Sequence, residues 1–221
     1  MTDPELTADR SRGTGVWPLI HAERMALAAD LADLTDEQWA TSSLCTELTV
    51  REVLAHLTAA ASLNSLRWLA GVLRCRFDFD KQVAMRLAEH LGATPAETLE
   101  RFRRVTLSTT KPPLPVMAML GETIVHGEDV RRPLGIGREY PIEVVTQVAE
   151  YYRGSDLVVL AKGRIGDLRL IADDGPFSAG SGPVVSGTTL ALLMAMTGRA
   201  TYCDDLEGDG VELLRRRCAM V

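Results

Sequence analysis

The chain has 221 residues, of which 46% are hydrophobic, 24% are charged and 5% are aromatic, and its formal net charge is −6. This length is sufficient for one large or two small domains with a buried core. The negative charge and the lack of long basic runs argue against non-specific binding of nucleic acid or of an anionic membrane surface.

The sequence also predicts a cytoplasmic protein. Its first 15 residues (MTDPELTADRSRGTG) are polar and lack the apolar core of a signal peptide. The longest apolar run, around residues 189–196, is too short to span a bilayer. The four cysteines form no CxxC pair and fit no zinc-ribbon spacing, so we expect free thiols in a reducing compartment.

Capping patterns and apolar periodicity predict helices in the first 135 residues. Thr35, Thr49 and Thr94 are each followed three residues later by Gln or Glu, which is the capping-box pattern. Apolar residues behind or near these positions recur at helical spacing. We expect four longer helices, joined as a four-helix bundle, over about residues 16–34, from residue 50 onward, over about 96–107, and from 113 to Arg132, where Pro133 and Gly135 would end the last one.

The pattern changes after Gly135. The sequence predicts, in order, a helix within 142–160, a strand over 167–172, a loop and hairpin over 173–187, an apolar helix over 188–197 and a short helix over 211–217. The glycine-rich 173–187 stretch lacks both GxGxxG and GxxxxGK[ST], so it does not predict a phosphate site. We therefore expect an α+β protein with two domains, a four-helix bundle over residues 1–137 and a small α+β domain over 138–221.

One stretch concentrates chemistry-bearing side chains. In residues 121–135 (GETIVHGEDVRRPLG), Glu122, His126 and Asp129 share one face of a helix because they lie four and three residues apart. A carboxylate and an imidazole one turn apart can bind the same cation. The same spacing is also common in surface contacts, and Asp129 alone could pair with Arg132, so spacing leaves both interpretations open.

A zinc site requires a third protein ligand. His56 lies beside the apolar stripe of its helix and is the first candidate, while His21 in the first helix is the second. His90 lies near a helix end and is expected to be exposed. A buried histidine usually has an ordinary hydrogen-bond partner, so His56 alone does not establish a site.

Several stretches together resemble a known family. Residues 44–57 (LCTELTVREVLAHL) resemble the first signature of the mycothiol-dependent maleylpyruvate isomerase family, and residues 121–135 resemble its second. This family is part of the DinB-like group of four-helix metalloproteins, so the resemblance implies that fold with a small C-terminal domain. Leu48 departs from the family, which usually has Trp there. Residues 182–187, 198–199 and 206–210 resemble sequence motifs of the family's C-terminal domain.

The resemblance implies roles for individual residues. His56, Glu122 and His126 would bind zinc or another divalent metal, with mycothiol as the thiol cosubstrate. Asp129 falls on an acidic position beside the metal, and Arg199 is the candidate cation for an anionic substrate. The residues alone allow other roles: Asp129 could orient His126 or act as a base, and Arg199 could simply interact with a helix end.

The expected chemistry follows from an open position on the metal. Three protein ligands are typical of a catalytic zinc site, and a thiol that enters the open position would bind as a thiolate. We therefore expect an enzyme that transfers this thiol to a small electrophilic substrate, or isomerises that substrate between cis and trans. Two alternatives remain: hydrolysis by metal-bound water, and a non-catalytic binding or regulatory protein whose site Cys45 would close.

Overall fold

The computed structural model describes residues 15–45 and 47–219. The polar N-terminal segment up to residue 14, for which no signal peptide is expected, lies outside the described residues, as does Thr46 of the first signature. The elements of the described chain are α1 (Val16–Asp30), α2 (Asp36–Trp39), α3 (Val50–Ser62), α4 (Ser65–Arg74), α5 (Phe79–His90), α6 (Pro95–Arg103), α7 (Val116–Leu134), α8 (Ile142–Arg153), α9 (Ala161–Arg164), β1 (Arg169–Ala172), β2 (Ser178–Gly180), β3 (Val184–Gly187), α10 (Thr189–Met196), a 3-10 helix (Ala200–Asp205) and α11 (Val211–Cys218).

The predicted helix caps are present. The Thr35 side chain accepts from the Gln38 N–H, and the Gln38 side chain accepts in return from the Thr35 N–H, which completes a capping box at α2. At α3, the Glu52 carboxylate accepts from the Thr49 N–H at 2.8 Å, and the Glu52 N–H donates to the Thr49 hydroxyl at 3.3 Å. These bonds satisfy donors that a helix start leaves without intrahelical partners.

Two helices, α4 and α5, were not predicted. They form a hairpin, which we call the α4–α5 hairpin, and its turn contains neither glycine nor proline. Arg76 and Phe77 instead adopt positive φ angles of 54° and 65°, a conformation that side chains other than glycine adopt infrequently. The turn therefore lacks the residues that normally mark one in a sequence.

The end of α7 differs slightly from the prediction, because the helix passes through Pro133 and ends at Leu134. Proline has no backbone N–H to bond the carbonyl four residues earlier, which belongs to Asp129. The Leu44 N–H donates to that carbonyl instead, at 3.0 Å. Gly135, with a φ angle of +68°, then stops the helix as predicted.

The described chain divides into two compact units, and α3 and α7 each contribute residues to both. The first unit contains the described residues up to Ala40 together with Leu54–Ile124. Within it α1 packs against α6, and α4 packs against α5. Its core includes these fully buried apolar side chains: Ile20, Leu27, Leu31, Leu54, Phe102, Leu120 and Ile124.

The second unit contains Thr41–Val53 and the described residues from Val125 onward. Its sheet has the strand order β2-β1-β3, with β1 antiparallel to β2 and parallel to β3. Helix α10 (TLALLMAM) packs against α8, the 3-10 helix and β3, and its residues 192–196 are fully buried. A helix that is apolar on every side must be surrounded by protein in this way.

Helices with a small C-terminal sheet confirm the α+β class. The expected domain boundary at residue 137 stays a prediction, because compactness alone does not show which segments fold independently. Among the described residues, no helix has both the length and the apolar character required to cross a bilayer.

Candidate metal centre

His56 and Glu122 contact each other in the first unit. His56 lies on α3 and Glu122 on α7, and the distance from His56 Nε2 to Glu122 Oε1 is 3.2 Å. Their side chains keep 23% and 22% of their surface exposed, so neither is sealed in the core. Both line a cavity of about 190 Å³ in the same unit. An imidazole and a carboxylate at the wall of a cavity can bind both a metal ion and a ligand of that ion.

A buried cation lies near this pair. Arg24 of α1 is 1% exposed, and its Nη1 donates to the Ser108 carbonyl at 3.0 Å. Burial lowers the pKa of Arg24, and the nearby Glu122 charge acts in the opposite direction. The opposite charges of Arg24 and Glu122 therefore attract each other within the first unit.

Helix α7 carries the third candidate ligand one turn further on. Glu122 and His126 lie four residues apart on this continuous helix, and one ligand atom of each lies within 4.8 Å of the other. The helical spacing expected from the sequence is therefore present. Glu122 is the shared member of two neighbouring pairs, one with His56 and one with His126.

His126 belongs to a chain of polar contacts in the second unit. Its Nδ1 lies 2.8 Å from Asp129 Oδ2, and Asp129 is fully buried. Arg199 donates to the same carboxylate twice, from Nε to Oδ1 at 2.8 Å and from Nη2 to Oδ2 at 2.5 Å. A two-point bond of this kind fixes both position and orientation of the carboxylate.

These contacts control the charge of Asp129. Burial alone would raise the pKa of its carboxyl, but hydrogen bonds from Arg199 and His126 outweigh burial and hold this pKa below its ordinary value. An ionised carboxylate can only accept a hydrogen bond, so the His126 proton resides on Nδ1. The other ring nitrogen, Nε2, is then the one that can bind a metal ion.

All three guanidinium nitrogens of Arg199 donate to protein acceptors. Its Nη1 donates to the Thr197 carbonyl at 2.8 Å, while Nε and Nη2 bond Asp129. The Thr197 contact agrees with the helix-end role that the sequence also allowed. The geometry thus supports Arg199 as a residue that positions Asp129.

Arg132, which the sequence allowed as another partner for Asp129, bonds a different carboxylate. Both terminal nitrogens of Arg132 bond Asp205, with a distance of 3.1 Å from Nη2 to Oδ1. The Arg132 guanidinium also lies over the Tyr202 ring, 4.2 Å from its centroid. Asp129 therefore belongs to the His126 and Arg199 cluster and not to a helix-end pair with Arg132.

The two remaining histidines lie outside the described groups that could hold a metal ion. His21 of α1 lies near the Trp17 ring, with a centroid distance of 5.9 Å, and its Nε2 is buried without a hydrogen-bond partner. His90 is half-buried and not exposed as expected, and burial lowers its pKa. The expected position of His90 near a helix end is confirmed, because α5 ends at this residue.

Cys45 lies close to His126 and Asp129 in the second unit. Cys45, His126 and Asp129 each offer one ligand atom, and these atoms lie within 4.8 Å of one another. Burial, followed by the negative charge of Asp129, raises the pKa of the Cys45 thiol. A raised pKa disfavours the thiolate that would bind a metal.

Sequence reasoning missed a cluster of hydrogen bonds around the buried Glu128 carboxylate. The hydroxyls of Tyr140 and Tyr202 each donate to the Glu128 carboxylate at 2.7 Å. Burial and then the Glu128 charge raise the pKa of the Tyr202 hydroxyl. Helical spacing gave no signal for this cluster, because Tyr202 lies 74 residues away from Glu128.

Comparisons with known proteins concern the N-terminal segment and the fold. Residues 20–111 match the family model of the mycothiol maleylpyruvate isomerase N-terminal domain. The chain is similar to a crystal structure of a histidine-to-alanine mutant of the mycothiol-dependent maleylpyruvate isomerase, with a TM-score of 0.58 and 13% identity over 88% of this chain and 91% of that chain. A crystal structure of that isomerase gives a TM-score of 0.52 and 12% identity with the same coverage.

A search of curated proteins found no match. At identities this low, the two solved structures show the fold, while the family model identifies the N-terminal segment. The resemblance noted in the sequence is therefore confirmed: residues 20–111 have the pattern of a mycothiol maleylpyruvate isomerase N-terminal domain, and the chain has the DinB-like α+β fold of the mycothiol-dependent maleylpyruvate isomerase.

Proposed function

We propose that this chain is a zinc- and thiol-dependent enzyme that uses mycothiol for S-transfer to a small electrophilic substrate, or for its cis-trans isomerisation. The observation that carries the proposal is the pair of contacts at Glu122. This carboxylate lies 3.2 Å from His56 and one helical turn from His126. The matching N-terminal family model supports mycothiol as the thiol.

The donor set fits a divalent metal. Two imidazole nitrogens and one carboxylate oxygen, from His56, Glu122 and His126, suit zinc and leave room for a further ligand. Other divalent first-row metals accept the same donors. When bound, the metal supplies Lewis acidity that lowers the pKa of a coordinated thiol.

Asp129 and Arg199 fix the protonation and orientation of one candidate ligand, His126. Asp129 accepts a hydrogen bond from Nδ1–H of His126, which leaves Nε2 of this ring available to a metal. Arg199 holds Asp129 at two points and keeps it ionised. Asp129 and Arg199 thus act through His126 in this proposal, and neither needs to touch the substrate.

A thiol-dependence assay tests the reaction. Purified protein would be incubated with mycothiol, with glutathione or with no thiol, and with a panel of neutral and anionic alkenes and halogenated carbons. We expect turnover with mycothiol that stops when the metal is removed by a chelator and returns when zinc is added. Absence of metal-dependent turnover across the panel would contradict the proposal, and turnover without any thiol would indicate a hydrolase that uses metal-bound water.

One observation favours a second candidate function. Cys45 lies in the same cluster as His126 and Asp129, so its sulfur could serve as a fourth ligand and close the site. The chain would then be a non-catalytic zinc-containing binding or regulatory protein. Cys45→Ser separates the two functions, since it should reduce zinc affinity only if Cys45 is a ligand. The cytoplasmic location expected from the sequence stays a prediction.

A further inference from the structure

The α4–α5 hairpin shapes the cavity beside His56 and Glu122. We call this space the hairpin cavity; its apolar lining includes Ala60, Leu63, Trp68 and Leu114. Its volume is about 190 Å³. An apolar cavity of about 150 Å³ in a protein core can hold benzene. The hairpin cavity therefore has room for a group slightly larger than one six-membered ring.

The polar side chains of the hairpin are bonded to protein. Gln82, which is 4% exposed, donates from Nε2 to the Trp68 carbonyl at 2.9 Å. Arg86 donates from Nη2 to the Arg67 carbonyl at 2.7 Å, and its Nη1 bonds Glu89 at 2.8 Å. These bonds hold both side chains against neighbouring protein groups and give Arg86 an acidic partner.

Gly71 of α4 makes this arrangement possible. A Cβ atom at this position would lie 2.8 Å from Gln82 Nε2 and 2.9 Å from Arg86 Nη2, which is closer than carbon and nitrogen approach without a bond. The absence of a side chain at Gly71 therefore allows α5 to place both side chains against the backbone of α4. The third Arg86 nitrogen, Nε, is buried without a hydrogen-bond partner among the described residues.

Away from the His56 and Glu122 end, the wall therefore offers a ligand mainly apolar surface, together with Gln82 and the Glu89-paired Arg86. A carboxylate or sulfonate placed there would lose its hydration and would meet an Arg86 whose charge Glu89 already neutralises. Glu122 would repel it from the other side. Trp68 provides the largest flat side chain of the lining, which suits a planar ring.

We propose that the hairpin cavity binds a neutral, apolar, ring-sized group and thereby selects uncharged electrophiles as substrates. The proposal rests on the proposed function only where it takes this ligand to be the substrate. Binding of such a group depends on the cavity itself, so it can be measured without turnover.

The test compares two ligands that share a ring but differ in charge. Binding of benzyl alcohol and of benzenesulfonate to the full-length, metal-bearing protein would be measured by ligand-observed NMR, since sulfonates are weak metal ligands. We expect benzyl alcohol to bind at least about 10-fold more tightly, because an unpaired charge is costly to bury. Equal or tighter binding of benzenesulfonate, or no binding of benzyl alcohol, would overturn the proposal.

Two substitutions locate the binding. Ala60→Leu and Leu114→Phe fill the cavity from α3 and from the segment before α7, and each should weaken benzyl alcohol binding by about 10-fold or more because little space remains. Ala84→Leu, on the exposed side of α5, is the matched control and should leave binding unchanged. Unchanged binding in both filled variants, once circular dichroism shows that they are folded, would place the ligand elsewhere.

Metal analysis of the same samples separates this proposal from the proposed function. If the protein binds the ring but holds no metal, the cavity proposal stands and the proposed metal-dependent function is contradicted. If the protein binds zinc but not the ring, the proposed function stands and the cavity proposal is contradicted.

Discussion

At the scale of single residues, Asp129 connects most of the site's chemistry. It is fully buried, accepts from His126 and is held at two points by Arg199. The three-residue step from His126 to Asp129 can be predicted from helical geometry. The bond to Arg199 cannot, because 70 residues separate the two positions and no local pattern encodes that distance.

Replacement of Asp129 should be costly to stability. The Arg199 side chain is only 13% exposed, and Asp129→Asn removes its carboxylate partner. We therefore expect a loss of about 3 kcal/mol in the free energy of unfolding. Asp205→Asn is the matched control, since it removes the partner of Arg132 from a pair that is more than a third exposed. Its cost should stay below about 1 kcal/mol. Urea denaturation would measure both values, and equal losses would contradict this ranking.

The ionisation of Asp129 should also make stability depend on pH. Its folded-state pKa is lowered, so its contribution is complete above the unfolded-state pKa and is lost as the pH falls through the folded-state value. We expect the wild type to lose stability in this acidic range more steeply than Asp129→Asn. The measurement is urea denaturation between pH 6 and pH 3 with a chelator present, and parallel curves for the two proteins would count against the assignment.

At the scale of elements, helix caps and apolar patterns predicted more than turns did. Thr35 and Thr49 marked helix starts correctly, because a cap is a local interaction between residues three positions apart. The α4–α5 hairpin was missed, because Arg76 and Phe77 form its turn in a conformation that usually indicates glycine. The sequence therefore did not predict the wall of the hairpin cavity, although it did predict the candidate metal ligands beside that wall.

Helix α10 provides a test of packing in the second unit. Leu193 is fully buried, while Leu190 on the same helix is only half-buried. Leu193→Ala should lower the free energy of unfolding by about 2–5 kcal/mol, because it removes buried methylene contacts and leaves a cavity. Leu190→Ala, with the same chemical change, should cost clearly less. Thermal denaturation of the two variants decides this, and a larger loss for Leu190→Ala would refute the packing described for α10.

At the scale of the whole molecule, the long helices α3 and α7 account for both the fold and the candidate site. Each contributes residues to both compact units, and together they carry His56, Glu122 and His126. The matching family model covers residues 20–111 and so includes His56, while Glu122 and His126 lie beyond it. The central claim of a metal centre therefore depends on the geometry of α3 and α7 as well as on the match of the N-terminal segment.

Metal stoichiometry tests this claim most directly. Inductively coupled plasma mass spectrometry of the purified wild type should find about one divalent metal ion per chain, with zinc as the expected metal. His56→Ala, Glu122→Ala and His126→Ala should each lose the bound metal, whereas His90→Ala, at the end of α5, should retain it. Metal content that is unchanged in all three ligand variants, or that falls equally in His90→Ala, would contradict the assignment of the site.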